Sequence, residues 1–195
     1  RALTAAWNAG LVVVVSAGNN GPAAGTVTAP GNNPWLISVG AADFQDTKGW
    51  RDVAPFSGRG PTRSGHIKPD VLAPGTLLAG VLPLNAKRPA TEPVTTDPKG
   101  YWVASGASQA TAVASGIIAL LLESRPELSN HDVKCLLANT ARPLSTAEGE
   151  LVSPFSQGRG LINLQGALPS AQTLCDERLE GIDPATALEG AFKTR

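Results

Sequence analysis

Charge is scarce in this 195-residue sequence: 16% of its residues are Asp, Glu, Lys or Arg, and 16 acids balance 16 bases. An average soluble domain carries roughly 25% charged residues. With zero net charge and no basic stripe, the chain lacks the electrostatic footprint of a nucleic-acid binder. No apolar run approaches the ~18 residues that span a bilayer. Methionine is absent, and the first ten residues (RALTAAWNAG) lack the long apolar stretch of a secretory signal. Only two cysteines occur, Cys135 and Cys175. They form one disulfide if the compartment is oxidising, or remain two buried thiols.

Against these shortages stand 42% hydrophobic residues, 21 glycines and 16 prolines. That much apolar sequence argues against disorder, and the Gly and Pro follow no collagen-like period. Length alone suits one domain. Residues 2–9 have helical spacing with Gly10 as a stop, followed by a β-branched run, 11–15, of the kind buried in parallel sheets. A second short strand is expected over 35–40, after a Gly/Asn/Pro-rich loop at 16–34. Residues 43–100 contain no good helix, and 83–98 read as an exposed excursion. A long, almost wholly buried helix is expected from about Ser108 to Ser124. A second helix begins after Ser129, which stands three residues before Asp132 in capping-box spacing, with Leu128 and Val133 placed as a hydrophobic staple. Residues 158–168 read as turn, short strand and short helix. No internal repeat is visible.

Two segments carry chemistry. SAGNNG (16–21) follows the all-valine strand, where open α/β sheets bind ligands. Its Asn19 amide is a neutral donor suited to an oxyanion hole, although a plain Gly/Asn turn explains the same residues. SGASQAT (105–111) opens the long helix. A serine there lies among unpaired N–H groups at the positive end of the helix dipole, and Gly106, Ala107 and Ala110 leave room for a substrate. The alternative is that the serine caps the helix.

Taken together and in order, the motifs resemble the subtilases, the subtilisin-like serine peptidases, over residues 2–168. The resemblance is carried by VVVVSAGNNG (12–21), APGNNPWLISVGA (29–41), FSGRGP (56–61) with IKPDVLAPG (67–75), SGASQATAVASG (105–116) and GRGLINLQGAL (158–168). It implies a three-layer α/β fold, a doubly wound, mostly parallel sheet, with residues 1–170 forming the C-terminal half of a catalytic domain and 171–195 a polar tail. It implies Ser108 as nucleophile and Asn19 as oxyanion donor. Ala17, Gly18 and Thr28, with Gly106, would line the uncharged substrate pocket, and Ala29–Pro30 would be a cis bond. The sequence departs from the family pattern at Ala107, Gln109, Ala112 and Val113, so altered efficiency is expected, and a catalytically impaired pseudopeptidase is the alternative.

The mechanism needs a general base. The resemblance puts the acid and histidine before the oxyanion asparagine, yet residues 1–18 contain neither. His66 and His131 are expected in a surface loop and on a solvent-exposed helix face. The expected partners are therefore an N-terminal segment or chain carrying Asp and His, and a protein or peptide substrate, with no membrane span. No cofactor is required; calcium as a structural ion would draw on backbone carbonyls with Asp43 or Asp46. The resemblance also implies an extracellular or periplasmic location. An α/β-hydrolase reading, suggested by GASQA (106–110), fails because that fold needs an acid and then a histidine after the serine. A purely structural domain leaves the two loops unexplained.

Overall fold

The computed structural model describes residues 1–45, 49–81, 95–96, 101–146, 148–171 and 173. Helix α1 (Ala2–Asn8) leads through Gly10, at φ +90°, into strand β1 (Val14–Ser16). Strand β2 (Ile37–Gln45) pairs parallel with β1 and with β4 (Val71–Pro74), and its far end pairs antiparallel with β3 (Gly49–Val53). The β-branched run yields only three strand residues because a strand needs a partner. β2 offers 37–39 opposite 14–16, and before that the run is tied to it through the Val13 carbonyl, which accepts from the Ile37 N–H. Conversely β2 runs past Gly40 because β3 folds back on it.

Side chains alternate across this sheet, as the pleat requires. Ile37, Val39 and Ala41 of β2, with Val71 and Ala73 of β4, join one buried cluster; Ala42 and Leu72 join another. The first face is covered by α2 (Ala107–Ser124), α3 (Asn130–Thr140) and Trp7 of α1. The second is covered by Leu144, Val152 and Leu161. A smaller antiparallel sheet orders β5 (Leu78–Gly80), β7 (Trp102–Ala104) and β6 (Thr95–Thr96). Short helices α4 (Pro154–Gln157) and α5 (Leu164–Ala167) follow. The expected strand in 158–168 is reduced to bridges from Leu161 to Leu72 and Arg142.

The capping box forms: Ser129 Oγ accepts from the Asp132 N–H, and the Asp132 carboxylate accepts from the Ser129 N–H at 2.9 Å. Leu128 and Val133 both pack into the core below it. By contrast, α2 is not almost wholly buried. Ala107, Ala110, Ala114, Ile118 and Leu121 form a single buried stripe on β1, β2 and β4, while Leu120 is 53% exposed. Its small residues let it lie close to the sheet, but the described residues cover one side only. By length and composition, with mean hydropathy 1.3, this helix could cross a membrane. Its packing on the sheet is that of a core helix. Cys135 is buried on α3 and disulfide-bonded; Cys175 and residues 174–195, with the expected tail, lie outside the described residues.

A buried charge cluster ties the strands together where β2 and β4 begin. Lys68 Nζ meets Asp70 Oδ2 at 2.6 Å and donates to the Leu36 carbonyl. Asp70 also accepts from the Ser38 N–H, and Lys134 of α3 approaches its other oxygen at 3.7 Å while donating to Pro34 and Trp35 carbonyls. Burial pushes the Lys68 amine down to about 8, with Asp70 opposing and Lys134 reinforcing the shift. Between pH 8 and the ordinary lysine value of 10.5, the unfolded chain therefore binds more protons here than the folded one. This site's contribution to stability should rise with pH across that window and be weakest below pH 8. Urea melts across that window should show the slope in the native protein and its loss in Lys68→Met, with an NMR titration of the Lys68 side chain centred near 8.

Candidate active site

Ser108 and Asn19, 89 positions apart, come together at the N-terminus of α2. The first helical residue is Ala107 and the N-cap is Gly106, so Ser108 sits at the second helical position and does not cap. The capping explanation is thereby excluded. Gly106 is fully extended, at φ 162° and ψ 158°, which turns successive N–H groups to opposite edges of the chain. Its own N–H donates to the Gly75 carbonyl at 2.8 Å, and the next, from Ala107, donates to Asn19 Oδ1 at 2.8 Å.

That second bond fixes the Asn19 amide. With Oδ1 engaged, Nδ2 is left to donate elsewhere, and it lies 3.5 Å from where a Cβ on Gly106 would stand. Ser108 is exposed, and its backbone N–H belongs to the first turn, where no intrahelical carbonyl can accept it. The first turn contains no acidic residue, so the positive end of an 18-residue helix faces the site unopposed. Asn19 and the exposed Ser108 thus share the N-terminus of α2 with its first-turn N–H groups and the positive end of its dipole. Negative charge developing on an oxygen there would be stabilised without rearrangement.

The strand before Asn19 forms an uncharged floor. Ala17 is fully buried, and Gly18 adopts φ +95°, where a side chain would be strained and would stand 2.6 Å from Thr28 Oγ1. Gly18 donates its N–H to Ser16 Oγ and accepts from the Gly58 N–H, while Thr28 donates its N–H to the Ala17 carbonyl. Gly31 and Gly58 press bare backbone against Ser16 and Ala17, so a Cβ at either would overlap main chain. These contacts give FSGRGP a structural purpose that its sequence did not disclose. Thr28 stands exposed over Gly18, and the Ala29–Pro30 bond is cis.

Of the departures, Ala107 is fully buried with its N–H already engaged, and Ala112 is exposed. Gln109 folds its carboxamide back over Gly106. Val113 packs against the core. His131 is exposed beside Asn130, whose amide donates to the Trp7 and Leu11 carbonyls at the start of β1, the end of that strand away from Asn19. His66 closes a turn with Thr62 between Gly60 and Lys68. Among the described residues no three His, Cys, Asp or Glu side chains gather as a metal site. Asp43 lies opposite Asp52 in the β2–β3 ladder, and Asp46 lies outside the described residues.

A parallel α/β sheet whose strand ends present an exposed serine at a helix N-terminus, with an asparagine amide beside it, is the architecture of subtilisin-like proteins. Residues 1–160 match the Subtilase family (peptidase S8), and the chain belongs to that family. It is 38% identical over 171 residues to the serine protease AprX of Bacillus subtilis (strain 168), covering 87% of this chain and 38% of that protein. It is 32% identical over 164 residues to a subtilisin of Bacillus pumilus, covering 83% and 48%. Among solved structures, sphericase superimposes with a TM-score of 0.67 at 27% identity, covering 84% of this chain and 51% of that one. The chain thus spans about half, or less, of the length of these relatives.

Proposed function

We propose that this chain is the nucleophile-bearing part of a serine endopeptidase, in which Ser108 is acylated and Asn19, with the Ser108 N–H, holds the oxyanion. The observation that carries this reading is the bond from the Ala107 N–H to Asn19 Oδ1, because it aims the remaining amide N–H into the space beside Ser108. The reaction runs in two halves. Ser108 Oγ attacks a peptide carbonyl as a base removes its proton, the oxygen takes the negative charge, and the amine leaves with a proton returned by the base. Water then attacks the ester in the same geometry and frees Ser108. The uncharged surface of Gly18 and Thr28, backed by the buried Ala17 and Gly106, favours an apolar residue before the cut bond.

The base is supplied by a separate segment or chain carrying Asp and His. Its docking surface is the edge of β1 that pairs with no strand among the described residues, together with the exposed side of α2. Leu11, Val12 and Val13 face Ile118, Ala119 and Leu122 across a groove of about 640 Å³. An unpaired parallel edge beside an apolar groove is an aggregation hazard unless covered. An extracellular or periplasmic location follows from the family's habit and agrees with a disulfide-bonded Cys135. Calcium, as a structural ion, plays no part in the reaction described.

A fluorophosphonate probe tests the reading. It should label Ser108 when the chain is assembled with its base-bearing segment, and leave the isolated chain essentially unlabelled. The isolated chain should also fail to behave as a monomer. A monomeric, cooperatively melting product from this chain alone would overturn the docking surface, and an unlabelled assembly would overturn the enzyme.

A further inference from the structure

Among the described residues one non-glycine backbone lies in the left-handed region: Leu77, at φ +51°. For a leucine this is unfavourable, and such outliers persist where the surroundings hold them in place. Here the restraint is visible, since the Leu77 N–H donates to Ser105 Oγ at 2.9 Å, three residues before Ser108. Leu77 nevertheless leaves its side chain 73% exposed.

Leu77 does not stand alone. The register pairs Leu78 with Ala104 and Gly80 with Trp102. Ala79 of β5 is exposed, and so are Leu77 and Val81, which flank the strand at its two ends. Val81 is 82% exposed, and Tyr101, which precedes β7, is exposed as well. The ribbon that carries these apolar side chains leads through β7 directly into Ser105, Gly106 and Ser108. Its flank is also defined. The extended Gly106 sends one N–H to Gly75, at the base of β5, and the next to Asn19 on the opposite edge. Asn19, Gly18 and Thr28 hold the acyl side of a substrate, so β5 borders the side on which the amine departs.

We infer that Leu77, with the exposed apolar side chains behind it, binds the substrate residues that follow the cut bond and selects an apolar side chain at the first of them. The inference rests on Ser108 being the nucleophile, and its test separates the two. Once the assembled protein is acylated by an activated ester, the acyl carbon can be captured by water or by an added amine. The amine nitrogen bonds to that carbon, the bond to Ser108 Oγ breaks, and the amine's proton returns to Oγ. The ratio of aminolysis to hydrolysis reports the leaving-group side alone and does not depend on how much protein is folded.

Leucinamide should outcompete glycinamide by about tenfold, the scale of a few methylenes in an apolar site. Leu77→Gly and Leu77→Asn, which both tolerate the left-handed backbone, should erase most of that preference, read within each variant as the ratio of leucinamide to glycinamide capture. Equal capture of both amines by the native protein, or an undiminished leucinamide preference in both variants, would overturn the proposal. Failure of Ser108 to acylate would overturn the nucleophile reading and this one with it.

Discussion

Replacing Ser108 by Ala should lower the kcat of the assembled protein by about 10⁶, and Asn19→Asp should lower it by about 10²–10³ or more; both scales are those of subtilisin itself, not values derived from this site. The second substitution is the more informative. Asn19 Oδ1 accepts from the Ala107 N–H at 2.8 Å, and in the proposed reaction Nδ2 donates toward the substrate oxygen, so the two contributions are separable. Aspartate keeps the acceptor and removes the donor, placing a carboxylate where negative charge must develop. The same carboxylate at a helix N-terminus should leave stability unchanged or raise it by up to about 1 kcal/mol. Activity should thus fall while thermal stability does not, with the loss in kcat and not in KM. Asn19→Leu, which removes both contributions, should lose activity and some stability together. Steady-state kinetics and melting curves on both variants check the split. Near-native turnover in Asn19→Asp would remove Asn19 from the reaction.

What made this site legible was order and not local pattern. Neither SAGNNG nor SGASQAT excludes its structural alternative, and the bond joining them spans residues 19 and 107. Only five motifs in family sequence tied them to one place. Helix ends were legible because their causes are local: Ser129 and Asp132 lie within one turn of each other. Strand lengths were not, because β1 is as long as its match to 37–39 and β2 as long as its combined partners. The burial of α2 was overestimated for a related reason. A run such as IIALLL (117–122) states how much apolar surface needs covering, not which chain covers it. Leu77 gave no signal at all, since no residue type announces a strained leucine.

The charge cluster was equally silent, with Lys68 and Asp70 on one segment and Lys134 far along the chain on α3, and it carries the largest expected effect on stability. Asp70→Ala should destabilise the protein by about 3–5 kcal/mol, since it strands buried ammonium groups without their counter-charge. Lys68 is 2% exposed, so water cannot easily replace the carboxylate. The loss also orphans the Ser38 N–H, which now donates to Asp70 Oδ2. Lys68→Met should cost less, because Asp70 retains Lys134 nearby and the main loss is the donor to the Leu36 carbonyl. Combining Lys68→Met with Asp70→Leu should recover part of the Asp70→Ala loss, since a buried pair is often exchanged for apolar residues at little cost. Recovery should be incomplete, with the Ser38 N–H still unpaired. Urea melts of the assembled protein measure all three, and a loss below about 1 kcal/mol in Asp70→Ala would mean the cluster is effectively solvated. The consequence reaches the active site along β4. That strand starts beside Asp70 and ends at Pro74, just before Gly75, whose carbonyl receives the Gly106 N–H. A cluster that fixes how β4 lies against β2 thus also fixes the extended residue that delivers Ser108. Asp70 variants should therefore lose probe labelling at Ser108 at temperatures where most of the sheet is still folded.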